Sequence, residues 1–246
     1  MIEYRFRQLA VAGIAAAVLA VATLVVGGPA VAGGGQGIAA NVNPGVIPNR
    51  GNQYPDLAAK WWQWAYSFPA ADVPFLNTGG PVDASANQSG HVWFLSGANL
   101  GPTTRSATLP AGVQLFFPMA NFVNDYPCPE PPPFQPAPGE SLEHFLTRTG
   151  VPFLQYMTNL FAEVDGVKLR NLDAYLAISP IFTFTADPAL AATVDPCITG
   201  TPQPGVSMGY WLLLTPLPPG EHVVRFGSEG WGQDVTYNLN VTPGHR

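Results

Sequence analysis

Two apolar runs, HVWFLSG at residues 91–97 and VQLFFPMAN at 113–121, are the most concentrated in the chain outside its N-terminus. Each is short and bounded by turn residues, the pattern of strands buried on both faces, so both are expected at the centre of the fold. The Gly-, Pro- and Thr-rich segment between them carries Arg105 and is expected as a loop, with a turn at Pro110-Ala111-Gly112. Pro118 should end the second strand or sit at its edge.

Upstream, Leu57, Trp61, Trp64 and Phe68 recur at helical spacing and predict a helix opening near Pro55 and running to about Ser67. That stripe is expected to dock on a sheet through Trp61 and Trp64, which leaves the ring of Trp62 for other use. A sugar-stacking platform is the competing reading of the three indoles. Asn77, Asp83 and Asn87 read as turn formers in a loop, because their spacing matches no calcium loop.

Downstream, the proline tract at 126–139 predicts an extended strap. Ser141 caps a helix with Leu142, Phe145 and Leu146 on its buried face, and a second short helix follows Pro152. The run LFAEV-DG-VKLR predicts a type I′ hairpin that sets Glu163 opposite Lys168. Residues 175–178, 181–185, 210–214 and 222–226 read as further strands, with one helical turn at 188–193. The last strand, around Val235, Tyr237, Leu239 and Val241, alternates with Thr236, Asn238 and Asn240 and has one wet face. Seven or more strands with two helical insertions make a mainly β fold, expected as a β-sandwich of immunoglobulin-like or jelly-roll type.

The N-terminus differs in kind. Two arginines, a charge-free apolar run from Leu9 to Val26 and the Ala30-Val31-Ala32 site predict a secretory signal over residues 1–32, with a retained membrane helix as the competing reading. Residues 33–53 have no periodicity and are expected as a flexible leader, so that 54–246 form a single domain. The expected compartment is periplasmic or extracellular, with no membrane attachment once the signal is removed. In such a compartment Cys128 and Cys197, the two cysteines present, are expected to form a disulfide rather than an isolated metal pair. Its loop entropy is worth about 4 kcal/mol.

Several segments, WWQW, QSGHVWFLSG, LPAGVQLFFP and GYWLLLTPLPPGEHVVRF, together resemble a group of uncharacterised exported bacterial proteins that look like β-sandwiches. The resemblance spans residues 54–243. It implies a fold and a compartment and attaches no activity, substrate or site residue.

Acidic residues outnumber basic ones 16 to 10, which argues against a nucleic-acid partner. No zinc-protease helix, phosphate loop, dinucleotide fingerprint or CxxC is present, and no serine nucleophile elbow is read, so neither cofactor nor metal is expected. A copper or zinc site from His91 and His222 is weighed against ordinary strand-edge histidines. The carboxylates Asp125, Glu229 and Asp234 are the candidate catalytic acids, Glu229 and Asp234 flanking Trp231. Trp62, Asn121, Asn124 and Trp231 are the candidate ligand-binding residues. Two functions follow from these candidates. One is an exported binding or structural protein for a glycan, cell-surface or protein ligand; the other is an extracellular hydrolase of a polymer. They separate on whether Asn121, Asn124, Asp125, Glu229 and Asp234 meet around one pocket.

Overall fold

A computed structural model describes Asn43 and residues 45–98, 101–129 and 134–243. The expected signal over 1–32 lies outside the described residues. The described residues are mainly β, with two sheets and two α-helices, α1 (Gln53–Ala65) and α2 (Leu142–Gly150). Eleven strands are described: β1 (Gly80–Pro81), β2 (Val92–Phe94), β3 (Gly101–Pro110), β4 (Gln114–Asp125), β5 (Leu160–Val164), β6 (Val167–Lys168), β7 (Leu176–Ile178), β8 (Phe182–Phe184), β9 (Gln203–Leu214), β10 (Gly220–Ser228) and β11 (Gln233–Thr242).

One sheet has six strands in the order β1-β3-β11-β10-β5-β6, and the other runs β2-β4-β9-β7, with β8 also paired to β9. Inward side chains of the two sheets meet: Phe117 of β4 stacks on Phe226 of β10 with ring centroids 4.3 Å apart, and Phe226 stacks on Tyr237 of β11. The other face of the five-stranded sheet is covered by α1, where Trp61 meets Trp211 of β9, itself stacked on Phe116 of β4.

The second apolar run holds the centre, as expected, but its strand does not stop at Pro118. β4 continues to Asp125 through a register shift between Pro118 and Ala120 that leaves Met119 unpaired with β9. A bulge absorbs the missing proline N–H and reverses which residues face α1. Beyond it, Ala120 and Phe122 face the other way and meet Phe145 and Leu146 of α2 in a second apolar cluster.

The first run is displaced from the centre. Only Val92–Phe94 forms a strand, paired in parallel with β4 alone, so β2 is a half-buried edge. The segment expected as a loop around Arg105 is the ten-residue strand β3, parallel to β11 along its whole length. It alternates, with Thr103, Arg105, Ala107 and Leu109 buried. Polar residues at two inward positions hide that strand from a hydrophobicity pattern.

The described part of the leader is tied down. Val46 bridges Leu214, Ile47 N donates to Leu213 O, and the Tyr54 hydroxyl donates to Ile47 O while accepting from Leu213 N. Asn43 bonds Arg170 and the Tyr175 hydroxyl. The helix also buries more than the expected stripe. Trp62 and Tyr66 are enclosed because Phe75, on a helical turn after α1, packs over both, while Trp64 is the indole left partly exposed.

Three local expectations are met. Asp165 and Gly166 both take positive φ in the hairpin that pairs Glu163 with Lys168. The Ser141 hydroxyl accepts from His144 N at the start of α2. Cys128 and Cys197 are disulfide-bonded across 69 residues. No helix among the described residues is long and apolar enough to cross a membrane.

Candidate functional site

The cleft with the most built character lies at the C-terminal end of α1. Trp64 and Phe68 form one wall, the turns carrying Asp72 and Pro74 and the loop carrying Asp83 form the rim, and Phe94 of β2 closes the side, around a volume of about 460 Å³. The rim is fixed locally. Trp64 Nε1 donates to Ala86 O, and Asp83 Oδ1 accepts from the Ser85 hydroxyl and N–H, which hold its carboxyl below the usual range. Gln88 pairs with both the N–H and C=O of Phe94.

The floor is Arg105, 1% exposed. Its Nε donates to Asn77 Oδ1, Nη1 to Ser96 O, Gly97 O and the Tyr237 hydroxyl, and Nη2 to Pro74 O and Asn77 O, all within 3.2 Å. Every acceptor is neutral. A buried cation would be costly without partners, and here carbonyl dipoles supply the compensation that a carboxylate usually does. The guanidinium therefore fastens β3, β11, the end of β2 and the turns around Pro74 and Asn77 into one frame behind the aromatic wall.

A second, shallower groove of about 800 Å³ lies on the face of the six-stranded sheet turned away from the core. Both Glu229 and Asp234 line it, with Glu163, Lys168 and Arg225. Asp234 is held by a two-bond pair with Arg225, whose guanidinium carbon stands 5.0 Å from the Phe161 ring centroid. Glu229 Oε2 accepts from Asn159 Nδ2.

The remaining candidates are elsewhere. Asn124 Nδ2 donates to Leu146 O and Thr149 Oγ1 and so holds α2. Asp125 is buried and accepts from Gln203 Nε2. Trp231 packs near Phe122 in the cluster under α2, and Asn121 and Trp62 are buried on either side of the layer between α1 and the sheet. The five residues whose convergence would favour a hydrolase thus fall in at least two separate places. His222 bonds Asp165 and Pro218 O on the outer sheet, and His91 lies at the start of β2.

The pattern reading passed over two features. One is Arg105, a buried strand residue within a segment whose composition predicts a loop. Residues 205–209, GVSMG, spell the string of a serine nucleophile elbow. The structure places this string in the middle of β9, with Ser207 fully buried and no helix following. The glycines are explained by contact: a Cβ on Gly205 would strike Val123 and Phe184, and one on Gly209 would strike Ala120 O and the Asn121 backbone. Metal-ligating atoms of Asp125, Asp195 and Cys197 lie within 4.8 Å of one another, but the Cys197 sulfur is committed to the disulfide and two carboxylates alone are a poor donor set. Comparison of the chain with protein-family models, curated proteins and solved structures returns no match.

Proposed function

We propose that this is an exported protein that binds a sugar unit of a glycan in the cleft at the end of α1 and does not turn it over. The single observation that carries this is the wall: half-exposed faces of Trp64, Phe68 and Phe94 stand beside the polar rim of Asp72, Asp83 and Asn77. Aromatic faces suit the apolar C–H side of a sugar ring, and oxygen acceptors at the rim suit its hydroxyls. Arg105 acts as the rigid floor, because its donors are already engaged. Export rests on the signal-like pattern of residues 1–32, supported by the disulfide. We read the two-sheet architecture as a β-sandwich related to the jelly-roll or immunoglobulin-like type, set apart from both by its parallel pairs β1/β3, β3/β11 and β2/β4.

The test is calorimetric titration of the protein against an oligosaccharide panel, with Trp64→Ala and Phe68→Ala as the variants. A saccharide that binds the parent and loses at least about tenfold in affinity in either variant, a difference of about 1.4 kcal/mol, supports the reading. Binding unchanged by both variants, or no binding to any saccharide, overturns it.

A second reading is favoured by the shared position of Glu229 and Asp234 in the outer groove. There the protein would be a hydrolase of an extracellular polymer, and Glu229→Gln would abolish polymer cleavage while leaving the fold intact.

A further inference from the structure

The three indoles at the end of α1 differ in how their N–H groups are satisfied. Trp61 Nε1 donates to Leu95 O at 2.9 Å and Trp64 Nε1 to Ala86 O at 3.1 Å. Trp62 Nε1 is buried and has no hydrogen-bond partner among the described residues. Across the layer, on the sheet, Trp211 Nε1, Asn121 Nδ2 and Ser207 Oγ are in the same condition. All four residues are more than nine-tenths buried. Buried polar groups are nearly always paired, so these four call for an explanation.

They belong to one layer. Trp211, Gly209, Ser207 and Gly205 alternate along β9 on the face that α1 covers, and Asn121 is the cross-strand partner of Gly209, just past the β4 bulge. Ser207 is opposite Val123, whose side chain meets Phe184 over Gly205. Phe184 stacks on Tyr66 of α1 at 4.9 Å, and Tyr66 stands 5.2 Å from Trp62. Helix and sheet therefore close over this polar row. On the other side of Gly209 its partner is Ala177 of β7. Across three adjacent strands, Asn121-Gly209-Ala177, only Asn121 carries a side chain longer than a methyl group, so its amide has no polar side chain beside it on the neighbouring strands.

Donors prevail among these groups: two indole N–H groups and an amide NH₂ can only donate, and the Ser207 hydroxyl can donate or accept. We infer that the layer between α1 and the five-stranded sheet is a closed binding site for hydrogen-bond-accepting oxygen, organised by Asn121, Ser207, Trp211 and Trp62. Its occupant is either a set of ordered water molecules or a small oxygen-bearing molecule enclosed on folding. Both offer the lone pairs that these donors require, and a polar, enclosed site with several partners is where ordered water is held. This site is separate from the cleft at Trp64 and stands or falls without it.

The test has two arms on the full chain. A crystal structure at atomic resolution should show oxygen density within hydrogen-bonding distance of Asn121 Nδ2 and Trp211 Nε1, and mass spectrometry of the denatured protein separates the sources, a released small molecule or none. Ser207→Ala, which removes only one hydroxyl, should fold and lose at least one long-lived internal water in oxygen-17 relaxation dispersion if water is the occupant. If a small molecule is the occupant, its recovery should fall at least twofold in the same variant. Density at the row with either occupant supports the inference. A dry row, with Asn121 Nδ2 and Ser207 Oγ bonded to protein atoms instead, overturns it, as does a Ser207→Ala protein identical to the parent in occupant and internal water.

Discussion

Arg105 Nη1 donates to the Tyr237 hydroxyl at 3.0 Å while the guanidinium carbon stands 5.6 Å from the centre of the same ring, so one arginine joins the neighbouring strands β3 and β11 at both ends of a tyrosine. The Tyr237 hydroxyl also exchanges bonds with Ser96 N and O, which carries the connection to the other sheet's edge. Truncating Arg105 takes a charged donor from each of the carbonyls of Pro74, Asn77, Ser96 and Gly97 and empties a buried volume. Arg105→Ala should cost about 3–5 kcal/mol in urea unfolding, and Arg105→Lys should recover little of it, because three donors on one nitrogen cannot span acceptors set around a planar fork. A loss below about 1 kcal/mol would contradict the account.

The tryptophans of α1 should separate by burial. Trp61→Ala and Trp62→Ala should each lower stability by about 3–5 kcal/mol, since each empties a large enclosed volume. Trp64→Ala, at a partly exposed site, should cost less and should show its effect in ligand binding. Thermal melts of the three variants give the ranking.

The His222–Asp165 pair predicts a pH dependence. The hydrogen bond to Asp165 is the main cause that raises the His222 pKa, so its stabilisation is complete below about pH 6.5 and is lost as pH rises through the folded-state value. Partial burial pushes Asp165 up, but hydrogen bonds from His222 and Val223 N outweigh it and leave the carboxyl lowered, so its contribution is lost as pH falls through that lowered value. Unfolding midpoints should therefore decline from pH 6 to pH 8 more steeply in the parent than in His222→Gln. Equal slopes would show that the pair contributes nothing.

Reducing the disulfide should lower unfolding free energy by about 4 kcal/mol, from the 69-residue separation that it closes. Cys128→Ala/Cys197→Ala, compared with the parent in chemical denaturation, gives the value. An unchanged midpoint would mean that the unfolded chain is already held compact there.

Gly209→Ala should be strongly destabilising, by about 1–3 kcal/mol or more, because the added methyl meets Ala120 O and the Asn121 backbone at the bulge of the β4/β9 pair. Gly166→Ala, where nothing stands within 4 Å, should cost only the positive-φ strain of the turn. Parallel melts of the two variants check the contrast.

Where one physical signal dominated locally, the sequence was readable. Asp165-Gly166 can hardly be other than a tight hairpin, and the alternation from Val235 to Val241 follows from one face packing on the core. Readability failed where a side chain's role depended on partners far along the chain. Arg105 sits at an inward strand position because carbonyls from residues 74, 77, 96 and 97 await it, and no window around 105 contains that information. Trp62 is buried because Phe75 arrives from outside the helix, and the described leader is held because the end of β9, beyond its pairing with β7, offers backbone groups to it. The candidate carboxylates were legible as residue types and not as neighbours, since Asp125 and Asp234 belong to different sheets.

The position of β11 constrains how the molecule can be made. Residues 233–242 lie between β3 and β10, pairing in parallel with a strand about 130 residues earlier, so the six-stranded sheet cannot close until they have been synthesised. Until then β3 and β10 each present an unpaired edge, and Arg105 lacks the tyrosine that holds it. Such long-range pairing makes for slow folding, and it leaves two strand edges open to aggregation in the interval before β11 arrives.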